Sequence, residues 1–575
     1  MAAGETAERK PSACCISHAF YKAASKFPHK IAVIHASGFA RITRDNTAAN
    51  APPHDDAIEL ASVERASSSR PPVYDGDECF TFSDIISAVD NLSSRLRHIL
   101  NGADDPYLIK TQPGIYMEPS VEYIVAVLSV LRCGEAFMPL DPSWPKARIL
   151  SLLSSSKANL VIGVESSNEE KLFHRLDTIN WLVSEGNCPV VYVCMKDIIK
   201  EQSRSLVLEW PCENERLRSF CYLMYTSGSS GKPKGVCGTE IGLINRFMWM
   251  QETYPLHEGD IVLFKTAISF IDHIQEFLGA VLSTCTLVIP PFSQLKENIF
   301  YITDFLQGYM IKRLVAVPSL MRAILPSLQS RRFRTIQYSL KLLVLSGEVL
   351  HLSLCKTLLK LLPQTSILNL YGSTEVTGDC TYFDCKRLPL ILEKEELSSV
   401  PVGLPLSNCE VVLVGEDAPL QGEIYVSGLC VAAGYFDYPY LIPLADRVQK
   451  YFKTGDFARK LSSGDLVILG RKDRTLKVNG QRVALEEIET AFRDHPSVVD
   501  AAVLSREVDG EILLLEAHVV MEEKNEDDEL LKSSLRNWLL NMLPLGYDTD
   551  SHIVTDTLWT LSGKVDYMSL AASTT

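Results

Sequence analysis

The stretch Tyr225-Thr226-Ser227-Gly228-Ser229-Ser230-Gly231-Lys232-Pro233-Lys234-Gly235-Val236 decides how this chain is read. The apolar run Phe220 to Met224 before it reads as a buried strand. The glycines allow a sharp bend and bring backbone N–H groups close to a ligand. Thr226, Ser227, Ser229 and Ser230 add hydroxyl donors, and Lys232 and Lys234 add positive charge. That is the chemistry of a phosphate cradle. Pro233 directly after Lys232, and Thr226 where a first glycine would stand, separate it from a Walker A loop. Loops of this composition are also ordinary solvated connectors, so its meaning depends on the residues that accompany it.

The chain has 575 residues, too many for one compact core, and two or more domains are expected. At 46% hydrophobic and 22% charged residues the composition is globular. A net charge of -15 argues against broad binding to nucleic acid or anionic membranes, so any phosphate is held by a local site. No apolar run reaches the length of a membrane span, and Met1 to Lys10 lacks the apolar core of a secretory signal. The final Ala572-Ser573-Thr574-Thr575 matches no peroxisomal or ER address. The 15 cysteines are odd in number and form no C-x-x-C pair. Reduced thiols, a cytoplasmic setting and no structural zinc are the expectation.

Outward from the loop, strand-like and helix-like segments alternate. Strands are expected at Lys30–His35, Leu160–Val164, Ile261–Phe264, Leu287–Pro290, Leu314–Val317, Leu342–Leu345 and Ile367–Leu370. Helices are expected at Ile16–Phe27, from an N-cap at Ser83 to about Leu100, at Ser120–Leu131 and at Arg148–Ser156. Alternation of this kind implies α/β layers with ligands at the carboxyl ends of strands. Strands dominate Gly403 to Gly428, and a smaller α+β unit follows Arg471-Lys472-Asp473. The expected organisation is a large α/β core with a strand-rich subdomain over residues 1–470 and a small domain over 471–575. Ala36 to Tyr74, rich in Ala, Ser, Pro and Asn, reads as a disordered insertion.

Further motifs follow in order. Asn369-Leu370-Tyr371-Gly372-Ser373-Thr374-Glu375 offers an aromatic face, a hydroxyl and a carboxylate after a strand. Tyr451-Phe452-Lys453-Thr454-Gly455-Asp456 and Gly470-Arg471 supply an acid and a base around turns, and Leu561-Ser562-Gly563-Lys564 places a lysine near the end. Each alone is ordinary: a loop tyrosine closing the core, a solvated turn acid, a solvated lysine. In this order they resemble the adenylate-forming superfamily of acyl-CoA synthetases, luciferases and the adenylation domains of non-ribosomal peptide synthetases. Leu131-Arg132-Cys133-Gly134, Met138-Pro139-Leu140-Asp141-Pro142 with Pro145 and Arg148, Pro401-Val402-Gly403-Leu404-Pro405, and Gly422-Glu423-Ile424-Tyr425-Val426 extend the likeness over nearly the whole chain. The Pro-Leu-Asp-Pro run points to the amino-acid-activating branch, and a β-alanine-activating enzyme of the aminoadipate-semialdehyde-dehydrogenase type is the relative suggested.

The resemblance implies that a carboxylate attacks the α-phosphorus of ATP, pyrophosphate leaves, and a thiol then attacks the acyl-adenylate. It assigns the β/γ-phosphates to Thr226, Ser227, Gly228, Ser229, Ser230, Gly231, Lys232 and Lys234. It assigns the α-phosphate to Thr374, Mg²⁺ to Glu375, and the adenine to Tyr371 beside Gly372. The ribose falls to Asp456 and Arg471, and the carboxylate–phosphate junction to Lys564. The small domain would swing about Lys472-Asp473, opening a thiol channel near Gly480. The chain departs from the family at Glu240, where His is usual, at Ser346-Gly347-Glu348 in place of Gly-Gly-Glu, and after Leu543-Pro544, where a second proline is missing.

The family's acid pocket matches Ile271, Asp272, Gln275, Val344, Ser346, Leu370, Gly378 and Asp379. The amino-acid branch places an Asp directly after the Phe to pair with an α-ammonium. Here Ile271 follows Phe270 and the acid comes one residue later, at Asp272. A shifted partner suits an ammonium one carbon further from the carboxylate, so a β-amino acid, β-alanine first, is expected, with Asp379 as a second partner. Asp272 facing solvent beside an uncharged acid is the other possibility. An aryl or fatty acid–CoA ligase and a non-catalytic ATP- or AMP-binding module remain as alternatives. The expected thiol is CoA or the phosphopantetheine of a carrier protein in trans.

Overall fold

The computed structural model describes residues 15–38, 70–100, 112–164, 181–201, 210–213, 218–228, 232–437, 440–444, 451–471, 474–478, 480–508, 511–521, 528–544 and 553–554. Most of the Ala36–Tyr74 stretch, Ser229 to Gly231, Lys472-Asp473 and Lys564 lie outside these residues. Among the described residues no helix is long and apolar enough to cross a membrane.

A nine-stranded sheet organises the core. Its middle is parallel: Ser366–Tyr371, Leu342–Leu345, Arg313–Ala316, Ile261–Leu263, Thr286–Ile289 and Ile31–His35 lie side by side. Glu78–Thr81 closes one edge antiparallel, and Thr381–Asp384 with Leu404–Pro405 closes the other. The central strands are apolar runs because both faces are covered; Leu342, Leu343, Val344 and Leu345 are all buried. A four-stranded parallel sheet holds Met138–Leu140, Gly114–Tyr116, Val161–Val164 and Val190–Val193. The helix Val121–Arg132 is almost wholly buried, with the Ser120 hydroxyl accepting from the Tyr123 N–H as its cap. The next core helix, Phe82–Leu100, starts earlier than expected. Thr81 and Asp84 exchange side-chain and backbone hydrogen bonds, so the capping pair begins two residues before Ser83.

The decisive stretch is a hairpin. Tyr222–Thr226 pairs antiparallel with Lys234–Gly238, and the loop between them sits at its tip. Gly434–Asp437 and Tyr440–Ile442 complete that sheet. A second antiparallel sheet carries Cys409–Val414, Gln421–Gly428, Phe452–Lys460 and Leu466–Arg471. Beyond it, Thr475–Val478 and Gln481–Ala484 form a short hairpin, and Val498–Val508, Glu511–Met521 and Ile553–Val554 form a three-stranded sheet. The helices Leu485–Arg493 and Asp528–Met542 pack there around a core of their own that includes Ile488, Phe492, Val503 and Leu535.

Candidate active site

A cleft of about 110 Å³ opens at the carboxyl ends of the parallel strands. Thr226 and Ser227 form one wall, where the first hairpin ends. Ser346 and Gly347 follow the strand Leu342–Leu345, and Gly372 to Glu375 follow Ser366–Tyr371. The third side is the short hairpin of the small lobe, with Lys477, Gly480, Gln481 and Arg482 lining the cleft. Gly480 is required there. Its φ is +76°, and a Cβ would lie 2.5 Å from the Val317 Cγ1.

The acid-recognising half centres on Arg246, which is 3% exposed on the helix Glu240–Thr253. Its Nη2 donates to Asp272 Oδ1 at 3.2 Å and to Asp379 Oδ2. Ser346 Oγ donates to Asp272 Oδ2 at 2.9 Å. Two carboxylates therefore share one guanidinium. Burial pushes the Asp379 carboxyl up to about 6, an effect that Arg246 partly offsets and neighbouring Asp272 reinforces. Asp141, from the Pro-Leu-Asp-Pro run, accepts a 2.8 Å hydrogen bond from Ser269 and so anchors the turn that leads into Phe270, Ile271 and Asp272.

The phosphate half centres on Glu375, which is 1% exposed. Its Oε1 accepts from the Tyr435 hydroxyl at 3.0 Å and from Arg482 at 3.0 Å. Burial opposes its charge, but Arg482 and the surrounding hydroxyls outweigh that and hold the carboxyl below the ordinary glutamate value. Its Oε2 is buried without a hydrogen-bond partner among the described residues. A free, ionised carboxylate oxygen suits Mg²⁺, a hard cation that takes oxygen ligands. Thr226 Oγ1 is likewise buried and unpartnered, while Ser227 Oγ donates to the Arg482 carbonyl at 2.5 Å. Lys477 Nζ donates to the Gly372 carbonyl at 3.1 Å.

The residues expected from the motifs are brought together unevenly. Thr226, Ser227, Ile271, Asp272, Ser346, Gly372, Thr374, Glu375, Gly378 and Asp379 all line the cleft. Gly228 folds tightly against the Lys232 carbonyl, Lys232 is exposed, and Lys234 lies over the Tyr435 ring at 5.6 Å. Tyr371 is buried and donates to Asp456 at 2.6 Å, and Arg471 donates to the same carboxylate at 2.8 Å. These three form one network beneath Lys477, set back from the cleft lining. Gln275 and Val344 border a separate cavity, and Leu370 packs among Trp249, Val344 and Leu368.

Arg246 and Arg482 are not marked by any motif. Arg246 falls three residues after Leu243 and three before Trp249, both buried, so a cation on an apolar helical stripe is the available signal. Glu240, where the family has His, accepts from Arg218 at 2.7 Å and from the Ile16 N–H at 2.7 Å, which gives that departure a structural use.

The sequence matches the family "AMP-binding enzyme" over residues 60–436. The chain belongs to that family. This adenylate-forming enzyme is 31% identical to the zwittermicin A synthase ZmaJ of Bacillus cereus over 512 residues, 86% of this chain and 90% of the relative. It is 33% identical to the β-alanyl-bioamine nonribosomal peptide synthetase ebony of Drosophila melanogaster over 415 residues, 68% of this chain and 44% of ebony. It is 30% identical to a mycosubtilin synthase polypeptide of Bacillus subtilis over 478 residues, 80% of this chain, but spans only 17% of that larger relative. The adenylation domain AlmE of Vibrio cholerae, solved with glycyl-adenosine-5′-phosphate, superposes with a TM-score of 0.68 at 16% identity, covering 100% of each chain. That likeness carries the fold, mixed α/β throughout. The reaction class is ATP-dependent activation of a carboxylic acid.

Proposed function

We propose that this enzyme activates an amino acid whose ammonium sits against Asp272 and Asp379, a β-amino acid with β-alanine first. The observation that carries this reading is the shared guanidinium. Two carboxylates around one Arg246 leave one net negative charge at the floor of the acid pocket. Burying that charge is costly unless a cation meets it. Ile271, where the branch places the partner of an α-ammonium, is apolar and only 9% exposed. A uniformly apolar acid would leave the negative charge unanswered. The name of ebony, a β-alanyl synthetase, points the same way.

In the first half-reaction the chain's residues bind, orient and neutralise. The hairpin tip from Thr226 to Lys234 would hold the β/γ-phosphates, Thr374 the α-phosphate, Tyr371 the adenine, and Asp456 with Arg471 the ribose. Glu375 would hold Mg²⁺, which supplies charge neutralisation on the phosphates when bound. Lys564 would steady the attacking carboxylate against the α-phosphate. Arg482 now occupies Oε1 of Glu375. The hairpin Thr475–Ala484 would withdraw for that half-reaction and return for thiol transfer, with Lys472-Asp473 as pivot. The acceptor would be CoA or a phosphopantetheine carrier in trans.

ATP–pyrophosphate exchange with β-alanine, α-alanine and propionate tests the reading. β-Alanine is expected to lead, and Asp272→Ala is expected to abolish that lead. Equal exchange with propionate, or undiminished exchange in the variant, sinks it in favour of an aryl or fatty acid–CoA ligase. Lys564→Ala should bind ATP yet form no adenylate; null turnover in wild type and variant alike would favour a binding module.

A further inference from the structure

Behind the acid pocket lies a second, smaller cavity of about 30 Å³, bordered by Arg246, Arg313, Gln275, Glu276, Val315 and Val344. Arg246 is the partition between the two. Its Nη2 serves Asp272 and Asp379, while its Nε and Nη1 are buried without a partner among the described residues. Arg313, 9% exposed, donates through Nη2 to the Tyr254 carbonyl, and its Nε is buried and unpartnered. It makes no ion pair with a carboxylate among the described residues; Asp260 attracts it only from beyond that range. The Gln275 Nε2 is buried and unpartnered as well.

Four orphaned donor atoms, three of them on guanidinium groups, thus belong to residues bordering one small space. Glu276 is the acid in its wall, but it is spoken for. It accepts from the N–H of Lys265 at 3.1 Å, the N–H of Thr266 at 2.9 Å and the Thr266 hydroxyl at 2.7 Å, and Lys265 Nζ stands 3.5 Å away. Burial, and then nearby Arg246, bring Arg313 down to about 10, so it stays charged at neutral pH. A buried cation without a close counter-charge is among the costlier features a protein can carry, and buried donors without acceptors add to it. A water molecule there meets mostly donors and has its own protons to place, whereas a monoatomic anion accepts from every direction.

We propose that this cavity binds a small inorganic monoanion, with chloride as the physiological candidate. The remaining wall is apolar, at Val315 and Val344, which suits a singly charged ion over a phosphate or sulfate with many oxygens to satisfy. The ion would neutralise Arg313 and accept hydrogen bonds from the rear N–H groups of Arg246, whose charge Asp272 and Asp379 already answer, whichever acid occupies the front pocket.

Crystals of the full chain soaked in sodium bromide, measured at the bromine absorption edge, test this directly. An anomalous peak between Arg246 and Arg313 is expected. A cavity holding only water, or bromide confined to the surface, overturns the proposal. In solution, chloride should raise the melting temperature on the order of 2 °C above gluconate at equal ionic strength. Arg313→Met should erase that difference. Identical melting of the wild type in the two salts also overturns the proposal; if the variant does not fold, the bromide map decides alone.

Discussion

The two halves of the cleft use the same pairing, a buried carboxylate with an arginine, to opposite ends. In the acid pocket Arg246 is fixed on a core helix, its side chain 4% exposed, and it is outnumbered by Asp272 and Asp379. In the phosphate half Arg482 reaches in from the small lobe, its side chain 24% exposed, and meets Glu375, which keeps one oxygen unused among the described residues. The first pair is permanent and leaves a charge for a ligand to answer. The second, on the proposed cycle, is provisional and holds a place. The same contact is therefore structural or exchangeable according to which element carries the cation.

The contrast breaks most visibly at Glu375. Glu375→Gln should lower pyrophosphate exchange by about 10²–10³-fold, the scale of losing one charge-stabilising group, while circular dichroism stays native. Unchanged exchange would mean that the unused oxygen has no role. Next, Arg246→Met should lower the unfolding free energy by about 3–5 kcal/mol in urea titration, because the buried Asp379 and the partly exposed Asp272 lose their partner. Adding Asp379→Asn should restore part of the loss; no rescue would remove Arg246 from the centre of the pocket.

Asp272→Asn sharpens the comparison from the ligand side. It should weaken β-alanine by roughly 2–3 kcal/mol, read as KM, and leave propionate untouched. pH offers a gentler probe. The Asp379 carboxyl titrates near 6, above the ordinary aspartate value. A raised carboxyl favours the protonated folded state, so its contribution to stability is greatest at low pH and is lost as pH rises through about 6. Ammonium binding runs the other way: KM for β-alanine should climb as pH falls below about 6, and Asp379→Asn should flatten the profile. Arg482→Ala should cost about 1–3 kcal/mol in stability, less than Arg246→Met because the Tyr435 hydroxyl still serves Glu375, with exchange not reduced. A marked loss of exchange would show that Arg482 does more than hold a place.

Local patterns make much of this legible. The strand leading into the Gly/Ser/Lys loop, the buried strand Leu342–Leu345 and the turn from Tyr371 to Glu375 follow from apolar runs ending in glycine and hydroxyl residues. Asp272 and Asp379 are recognisable as pocket acids through the family resemblance, which matches them to pocket positions after Phe270 and Tyr371, and both line the cleft. What local pattern cannot convey is pairing over long separations. Arg246 meets Asp379 across 133 residues, and Arg482 meets Glu375 across 107. Nothing near either arginine announces its partner. Gln275, Val344 and Leu370 show the reverse limit: motif matching names a position, while the rotamer and the packing decide which side of a wall it faces.

The contact between Arg148 and Glu487, at 2.9 Å, sits where the core meets the small lobe, with side chains only 6% and 3% exposed. Shut away from solvent, such ions attract strongly, but each gave up its hydration to be there, and the two effects nearly cancel. The contact therefore specifies an angle of docking without making a deep energy well. Oil-like side chains at the same spot would bind the lobe at many angles and release it reluctantly. Two opposite charges that water can reclaim separately make a seam that aligns well and parts easily.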